Sequence, residues 1–368
     1  MRVLYDHQLF SLQNAGGASR YHYELARYLR TAPDVTTELF LGMNGSIYPF
    51  HELSSANTRV TSFAVGGHPG GLRYLANEVL SNCVVPFLGK MDIYHPTLYR
   101  RVPLARMRRV VATHHDCIHE RYPETFRYLK QVLRAKQSLY ARADAIICVS
   151  EASRLDLLRF YDVSAARTRV IHHGVRPLPR CAAMTKKLQE QVRRDYLLYV
   201  GVRASYKNFD GLLRAFRESG LHNSLDLLVL GGGPLTAGEI EMIARMNLDK
   251  STVCIPRVTD ELLAEAYAGA RLFVYPSFSE GFGFPPLEAM AAGCPVLASN
   301  TSSIPEVCLD APFYFDPQDQ QSFTCALLHA IEDEKARRQA IERGHKVVAQ
   351  YSWEKCGRQT LALYRECQ

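Results

Sequence analysis

The chain has 368 residues, of which 47% are hydrophobic, and a formal net charge of +7. This length and apolar fraction suit a globular protein with two domains of ordinary size. No run approaches the roughly 20 uninterrupted apolar residues of a membrane span, and Met1–Asp6 enters a strand without a signal-peptide layout. The ten cysteines are scattered and form no C-x-x-C pair, which argues against a zinc site and indicates buried thiols in a reducing compartment. We therefore expect a soluble, cytoplasmic protein.

Positive charge is concentrated in the first half of the chain. Between residues 127 and 142 the basic residues alternate with apolar ones at near-helical spacing, and no acid occurs among them. This pattern predicts a basic amphipathic helix that either meets an anionic membrane surface or acceptor phosphates, or packs on the core with a solvated basic face. Nucleic-acid binding is not expected, because no recognition motif accompanies the charge. The basic residues concerned are Arg100, Arg101, Arg106, Arg108, Arg109, Arg127, Lys130, Arg134, Lys136 and Arg142.

Short apolar runs alternate with longer segments through the first 175 residues, which predicts a parallel, doubly wound sheet. Gly16 and Gly17 open the first long helix, where such a sheet brings backbone amides to a ligand, although ordinary turns also use glycine. The predicted strands are Val3–Tyr5, Thr37–Leu41, Ile93–His95, Val110–Thr113, Ala145–Ser150 and a run that begins at Thr168.

His114, His115 and Asp116 directly follow one of these strands, and residues in that position line the ligand crevice of a parallel sheet. Of the two histidines, one is expected to be structural. Ser150 is a predicted helix cap. The polar, proline-marked stretch Pro177–Val192 is interpreted as the connection between two domains.

A second alternating unit begins at Tyr196 and contains a basic loop after its first strand. With Ser205 as a helix cap, Lys207 falls in a first helical turn, where a cation is unfavourable unless an anion compensates it. A diphosphate held by Arg203 and Lys207 resolves this conflict. The predicted strands of this unit are Tyr196–Gly201, Leu225–Leu230, Val253–Pro256, Leu272–Tyr275 and Pro295–Ala298, and Ser352 opens the last helix.

The loop that follows Leu272–Tyr275 carries the strongest functional signal. Two prolines suit the first turn of the next helix, and no capping side chain stands at positions 281–285, so an anion is a natural partner for the helix start. Glu280 and Glu288 flank this turn and are able to accept hydrogen bonds from hydroxyl groups. A sugar joined to a diphosphate offers both features; the alternative is a solvated Glu280 and a Glu288 that complements the helix dipole.

The spacing from Glu280 to Glu288 resembles the E-x7-E signature of family 4 glycosyltransferases, and the resemblance covers essentially the whole chain. The His-Asp pair at His115 and the Gly-x-Arg…Lys-Asn pattern from Gly201 to Asn208 also match motifs of that family, whereas His173 stands where asparagine is common. The resemblance implies a GT-B fold, in which two Rossmann-like, doubly wound parallel-sheet domains face a cleft. The implied domains are an acceptor-binding domain at residues 1–176, a nucleotide-sugar-binding domain at 177–352 and a C-terminal helix at 353–368 that crosses back.

The resemblance also implies roles for individual residues. His115 and Glu280 are the implied catalytic residues, which position the donor sugar. The implied donor-binding residues are Gly16, Gly17, Arg203, Lys207, Asn208, Val258, Gly281, Phe282, Gly283 and Glu288.

The implied activity is sugar transfer from a nucleotide-diphosphate donor with retention of the anomeric configuration. No D-x-D motif is present, so the expected reaction needs no metal and no cofactor. Segments such as Tyr206-Lys207-Asn208 look most like bacterial mannosyltransferases of surface polysaccharide synthesis. This favours GDP-mannose as donor, with a UDP-sugar as the alternative, and a lipid-diphosphate-linked acceptor at the inner membrane face. A nucleotide-sugar epimerase and a carbohydrate-binding protein without activity are the rival classes.

Overall fold

A computed structural model of the chain describes residues 1–64, 70–99, 107–126, 128–175, 188, 191–192 and 194–368. Almost all of the predicted connection Pro177–Val192 lies outside the described residues, as do Arg100, Arg101, Arg106 and Arg127 of the basic segment. The chain divides into two compact units, Met1–Gly174 with Ser352–Gln368 and Val175–Tyr351.

The first unit is built on a seven-stranded parallel sheet in the order β3-β2-β1-β4-β5-β6-β7. The strand order reverses between β1 and β4: β2 and β3 lie on one side of β1, and β4 to β7 lie on the other. β1 and β4 pair directly through Val3 and Ile93. The alternation of apolar runs predicted these strands except β3, an edge strand whose residues are mostly polar. The strands are β1 (Arg2–Tyr5), β2 (Thr36–Asn44), β3 (Thr58–Ala64), β4 (Met91–His95), β5 (Met107–His114), β6 (Ala145–Cys148) and β7 (Thr168–Val170).

Helices cover this sheet, and their starts follow local chemistry. Ser150 and Ser153 cap one another's backbone at the start of a helix, and the Ser352 hydroxyl accepts from the Lys355 N–H at the start of the C-terminal helix. Leu4, Ile146 and Leu157 are fully buried between the sheet and the helices. The helices are α1 (Gln8–Leu12), α2 (Gly17–Leu29), α3 (Gly70–Val84), α4 (Ile118–Arg121), α5 (Leu129–Arg142), α6 (Glu151–Phe160) and the C-terminal helix (Trp353–Glu366).

The basic helix α5 packs on the core, with one of its cations turned inward. Lys136 is fully buried, pairs with Glu120 at 2.9 Å and donates to the Asp116 carbonyl at 3.0 Å. Lys130, Arg134 and Arg142 lie on the exposed side. The helix therefore packs on the core with a solvated basic face, as in the second alternative, but Lys136 does not belong to that face because it pairs with an internal carboxylate and a carbonyl.

The second unit contains a six-stranded parallel sheet in the order β10-β9-β8-β11-β12-β13. Its strands are β8 (Tyr196–Val200), β9 (Asp226–Leu230), β10 (Thr252–Ile255), β11 (Leu272–Tyr275), β12 (Val296–Ser299) and β13 (Phe313–Phe315). Its helices are α7 (Phe209–Glu218), α8 (Ala237–Arg245), α9 (Asp260–Gly269), α10 (Phe284–Ala291), α11 (Ile304–Cys308), α12 (Gln320–Glu332) and α13 (Glu334–Val348).

Helix α7 shows how sequence periodicity becomes packing in this unit. Its apolar residues Phe209, Leu212, Leu213 and Phe216 recur at helical spacing and are all buried against the sheet. The expected cap at Ser205 is wrong. Residues 205–207 form a single 3-10 turn, and Asn208, in a left-handed conformation at φ 52°, precedes the helix. Lys207 therefore lies before the helix and not in its first turn.

Both units alternate strands and helices around a purely parallel sheet, with strand orders that reverse at one point. The prediction of two Rossmann-like, doubly wound domains is confirmed. Among the described residues, no helix has the length and apolar character needed to cross a bilayer.

Candidate functional site

Two loops of the second unit meet at the point where its strand order reverses. One loop follows β8 and the other follows β11, and these strands are neighbours through the pair Leu198 and Phe273. In parallel sheets, ligands bind beyond the carboxyl ends of the strands at this switch point. The Phe278 N–H donates to the Tyr206 carbonyl at 2.8 Å, which ties the two loops together.

Lys207 and Glu280, each predicted for the donor site, are in direct contact here. The Lys207 ammonium lies 2.5 Å from the Glu280 carboxylate, and the two side chains are 16% and 9% exposed. The ammonium also lies 5.3 Å from the ring centre of Tyr206 and 5.5 Å from that of Tyr275. These contacts place one cation and one anion side by side in a largely desolvated environment, where charges interact strongly.

Tyr275, the last residue of β11, lies next to this pair. It is buried, and its phenol interacts electrostatically with Glu280. Burial, together with the negative charge of Glu280, raises the pKa of Tyr275 well above its ordinary value of 10.0. The phenol therefore stays protonated beside the carboxylate. Sequence reasoning treated Tyr275 only as part of a buried strand, although its place at the strand end marked it as a candidate.

The backbone of Glu280 is held by two serines that follow β12. The Glu280 N–H donates to the Ser302 hydroxyl at 2.7 Å, and the Ser303 hydroxyl donates to the Glu280 carbonyl at 3.0 Å and to the Phe282 carbonyl at 3.2 Å. Ser302 adopts φ 57°, a conformation unusual for a residue with a side chain. The serines thus fix where the Glu280 side chain begins.

Helix α10 begins directly after this loop, and no side chain caps it. Gly283 occupies the cap position with φ 97°, and Phe284 is the first helical residue. Gly281, Phe282 and Gly283 are all buried, with Phe282 packed against the Tyr351 ring at 5.8 Å. The loop is therefore shaped by its packing as well as by its glycines.

Glu288 is 6% exposed and lies in the second turn of α10, because the helix begins at Phe284. The sequence favours a helix that begins at one of the prolines, with Glu288 in its first turn, and this position is wrong. The helix begins one residue earlier, at Phe284, so Glu288 is its fifth residue.

Arg203 is held by protein groups away from the Lys207–Glu280 contact. Its side chain is 3% exposed, pairs with Glu239 at 2.8 Å and donates to the carbonyls of Gly231 at 2.9 Å, Gly233 at 3.1 Å and Pro234 at 2.8 Å. The Arg203 guanidinium therefore bridges several backbone carbonyls of the loop after β9. Its predicted contact with a phosphate stays a prediction.

Two other predicted donor residues lie around these loops. Asn208 is 6% exposed and donates weakly to the Pro317 carbonyl at 3.5 Å, so its side chain braces the start of α7. Val258 lies beside Gly231, where a Cβ built on the glycine would meet it at 3.9 Å. Val258 is thus next to the glycine-rich end of β9, and its predicted contact with a nucleotide base stays a prediction.

In the first unit, Gly16 and Gly17 form the start of α2. Gly16 has φ 155°, a backbone conformation that residues with a side chain rarely adopt, and a Cβ there would displace the flexible Gln13 side chain, which lies 2.4 Å away. Its carbonyl accepts a hydrogen bond from the Tyr48 hydroxyl at 3.3 Å. The short helix α1 separates this turn from β1.

The two adjacent histidines after β5 have different surroundings. His114 is fully buried, and its Nδ1 lies 2.7 Å from the Tyr140 hydroxyl, which makes it a core residue. His115 is partly buried and faces the rings of Tyr21 at 5.8 Å and His173 at 6.1 Å. Burial is the main cause that lowers the pKa of His115 to about 4, so its imidazole is neutral at pH 7.

His115 belongs to a cluster of buried rings that the sequence did not reveal. The ring centres of His22 and His95 lie 5.3 Å apart, and His22 lies 6.2 Å from His115. The Nε2 of His95 lies 2.7 Å from the Thr113 hydroxyl. These residues come from α2, β4 and β5, and only the sheet order brings them together. In the described part of the chain, no three His, Cys, Asp or Glu side chains meet in a metal-binding group.

Comparisons with known proteins agree with this architecture. Residues 15–177 match the family described as Glycosyltransferase Family 4, and residues 182–347 match the family described as Glycosyl transferases group 1. The chain is 34% identical over 286 residues to the O-antigen chain mannosyltransferase B of Escherichia coli, with 74% of each protein covered.

Two solved structures share the fold. The sucrose-phosphate synthase of Thermosynechococcus elongatus superposes with a TM-score of 0.76 at 20% identity, covering 99% of this chain and 98% of that one. Anabaena HepE in complex with UDP-glucose gives a TM-score of 0.74 at 18% identity, with both chains covered completely at 100%. The family matches, the close relative and the shared architecture lead to one conclusion: the chain belongs to the family 4 glycosyltransferases and has the GT-B fold.

Proposed function

We propose that this glycosyltransferase moves a sugar, with mannose as the first candidate, from a nucleoside-diphosphate donor to a saccharide acceptor. The observation that carries the proposal is the contact of Lys207 with Glu280 at the switch point of the second sheet. A donor of this kind needs a cation for its diphosphate and a hydrogen-bond acceptor for its sugar hydroxyls. The similarity to a mannosyltransferase of E. coli supports GDP-mannose as the donor.

In the proposed complex, the donor diphosphate lies between Lys207 and the start of helix α10. The ammonium and the positive end of the helix dipole offset the charge that grows on the leaving group as the glycosidic bond breaks. Gly281 and Gly283 allow the backbone to approach the phosphate closely, and Val258 contacts the base. Glu280 accepts hydrogen bonds from the sugar, and Glu288 serves the ribose.

The proposed role of His115 is to position the donor sugar. As a neutral imidazole it donates one hydrogen bond and accepts another, which suits a sugar hydroxyl. The proposed transfer proceeds with retention of configuration and without a divalent metal ion, since Lys207 and the helix take the place of a cation. We therefore expect full activity in the presence of EDTA.

The proposed acceptor is a saccharide linked to a lipid diphosphate at the inner face of the cytoplasmic membrane, in the synthesis of a bacterial surface polysaccharide. The exposed cations Lys130, Arg134 and Arg142 of α5 support contact with an anionic surface, because no acidic residue lies between them in the sequence. The protein is proposed to work in the cytoplasm.

A thermal-shift screen with GDP, UDP and ADP and their sugar conjugates tests the donor. Stabilisation by GDP-mannose above all others is the expected result, and stabilisation by UDP-glucose or UDP-N-acetylglucosamine instead would select the UDP-sugar alternative. Incubation of the selected donor without acceptor then separates a transferase, which leaves the sugar configuration unchanged, from an epimerase, which isomerises it. Absence of binding by every nucleotide would overturn the proposal.

A further inference from the structure

Lys207 and Glu280 are assigned to different parts of the donor, yet in the structure they satisfy each other. The two groups are 2.5 Å apart, and both side chains are largely buried. The diphosphate requires the ammonium, and the sugar hydroxyls require the carboxylate. Lys207 and the Glu280 Oε1 oxygen therefore already have a charged partner before a donor binds.

The geometry lets Lys207 leave without disturbing Glu280. The backbone of Glu280 is fixed by the hydroxyls of Ser302 and Ser303, and the protonated phenol of Tyr275 remains close to its carboxylate. The carboxylate therefore stays oriented when the ammonium departs.

Lys207 has the opposite character. Its ammonium ends a flexible four-carbon chain with three N–H donors, and it lies over the faces of the Tyr206 and Tyr275 rings, which supply no directional bond. A change of rotamer is sufficient to redirect the charge, with no movement of the backbone.

We propose that Lys207 and Glu280 form an exchange pair that couples recognition of the diphosphate to recognition of the sugar. The donor diphosphate draws the Lys207 ammonium to itself, and the Glu280 carboxylate that this releases, oriented by Tyr275, binds the sugar hydroxyls. A nucleoside diphosphate without a sugar breaks the pair and leaves the carboxylate without a new partner. The complete donor satisfies both groups. This inference rests on the proposed function of donor binding in the second unit.

The test measures dissociation constants of GDP and GDP-mannose, or of the pair selected in the donor screen, by titration calorimetry. Glu280→Gln frees Lys207 from its carboxylate, so this variant binds GDP about tenfold more tightly than the wild type, a size typical of coupling between linked sites. GDP-mannose gains less, because its sugar has lost the carboxylate. Glu280→Ala gives the same direction and serves as a second variant. An unchanged or weakened GDP affinity in both would overturn the exchange.

Two further variants separate the parts of the mechanism. In Lys207→Met, GDP binds weakly, and adding Glu280→Gln no longer tightens it; tighter binding in that double variant would contradict an effect through Lys207. Tyr275→Phe leaves GDP affinity within about twofold but reduces the preference for GDP-mannose over GDP, because only the orientation of Glu280 is lost. An undiminished preference would remove Tyr275 from the proposal.

The wild-type protein supplies a measurement that needs no substitution. In a crystal of the GDP complex, the Lys207 ammonium contacts a phosphate oxygen and has left Glu280. An intact Lys207–Glu280 contact in a complex that contains the nucleotide would overturn the exchange while leaving the proposed function in place. Failure of the wild type to bind any nucleotide would instead overturn the proposed function.

Discussion

Glu280 is constrained along its whole length, which is unusual for a loop glutamate. Ser302 and Ser303 hold its backbone, Lys207 contacts its carboxylate, and its side chain is 9% exposed. Long acidic side chains in loops are normally solvated. The solvated alternative for Glu280 is therefore wrong in this structure, and the desolvation of its charge needs a function to explain it.

Replacing either member of the pair removes a group proposed to contact the donor. Glu280→Ala and Lys207→Ala are each expected to lower kcat/KM by about 100-fold or more, the size seen when one preorganised charge-stabilising contact is lost. The measurement is transfer of labelled sugar from the selected donor, with circular dichroism to verify folding. Glu241→Ala is the matched control, since Glu241 is 68% exposed in a surface pair on α8. Near wild-type activity in either site variant would refute the site assignment.

The adjacent histidines give opposite expectations. His114→Ala removes a buried ring bonded to Tyr140 and leaves that hydroxyl unpaired, at a cost of about 1–3 kcal/mol in the free energy of unfolding. His115→Asn keeps hydrogen-bonding capacity at a partly buried position, so it lowers transfer activity with little change in stability. Urea denaturation and the transfer assay measure the two effects. A loss of stability in His115→Asn with unchanged activity per folded molecule would make His115 a structural residue as well.

At the scale of elements, the loop after β9 depends on three consecutive glycines. Gly231, Gly232 and Gly233 adopt φ values of 78°, 72° and 80°, and their carbonyls turn toward the Arg203 guanidinium. A Cβ on Gly232 would lie 2.5 Å from the Gly201 carbonyl oxygen. The backbones of the loops after β9 and β8 are therefore in contact, and Arg203, in the loop after β8, bonds the carbonyls of the loop after β9.

Gly232→Ala tests this element. The clash and the strained φ are expected to destabilise the protein by about 1–3 kcal/mol, and to weaken nucleotide binding because Val258 and Arg203 shift with the loop. Gly238→Ala is the control, since that glycine lies in helix α8 with nothing within 4 Å of its Cβ position. The control is expected to be neutral or stabilising by up to about 1 kcal/mol. Equal unfolding midpoints for the two variants would contradict the strain argument.

At the scale of the whole molecule, the two units differ in how they respond to protons. In the described part of the first unit, burial is the main cause that lowers the pKa of five histidines, the partly buried His115 among them, below the ordinary value of 6.5. The pKa values of His95 and His114 fall to about 3 and that of His115 to about 4. The remaining two are His22 and His173. The unfolded chain protonates these rings near pH 6.5, whereas the folded unit does not.

Below pH 6.5 the unfolded state therefore binds more protons than the folded state, and the free energy of unfolding decreases as pH falls toward the folded pKa values. Each such histidine contributes up to about 1.4 kcal/mol per pH unit. The only tryptophan of the chain, Trp353, lies 5.9 Å from His173, so its fluorescence reports on this unit. Urea midpoints followed by fluorescence are expected to fall steeply between pH 6.5 and 5 and to level off above pH 7. A midpoint that does not change from pH 7.5 to pH 5 would show that these rings take up protons with the same pKa in the folded and unfolded states, and would contradict the prediction.

The sequence by itself determined the alternating strands and helices, the parallel sheets and the family. These features are local: apolar runs of strand length, glycines at turns and the spacing from Glu280 to Glu288 are fixed by neighbours along the chain. Local patterns also predicted the Ser150 cap correctly. They misplaced the cap at Ser205 and the helical turn that carries Glu288. The exact residue at which a helix begins depends on packing, which the local pattern does not contain.

Only the tertiary structure decided the partners of the charged groups. Lys207 and Glu280 are 73 residues apart, and they meet because β8 and β11 are neighbours in the sheet. The same long-range pairing turned Arg203 toward Glu239 and Lys136 toward Glu120. A charged side chain with several chemically suitable partners pairs with the one that the fold brings within hydrogen-bond distance. The spacing of residues along the chain does not determine that distance.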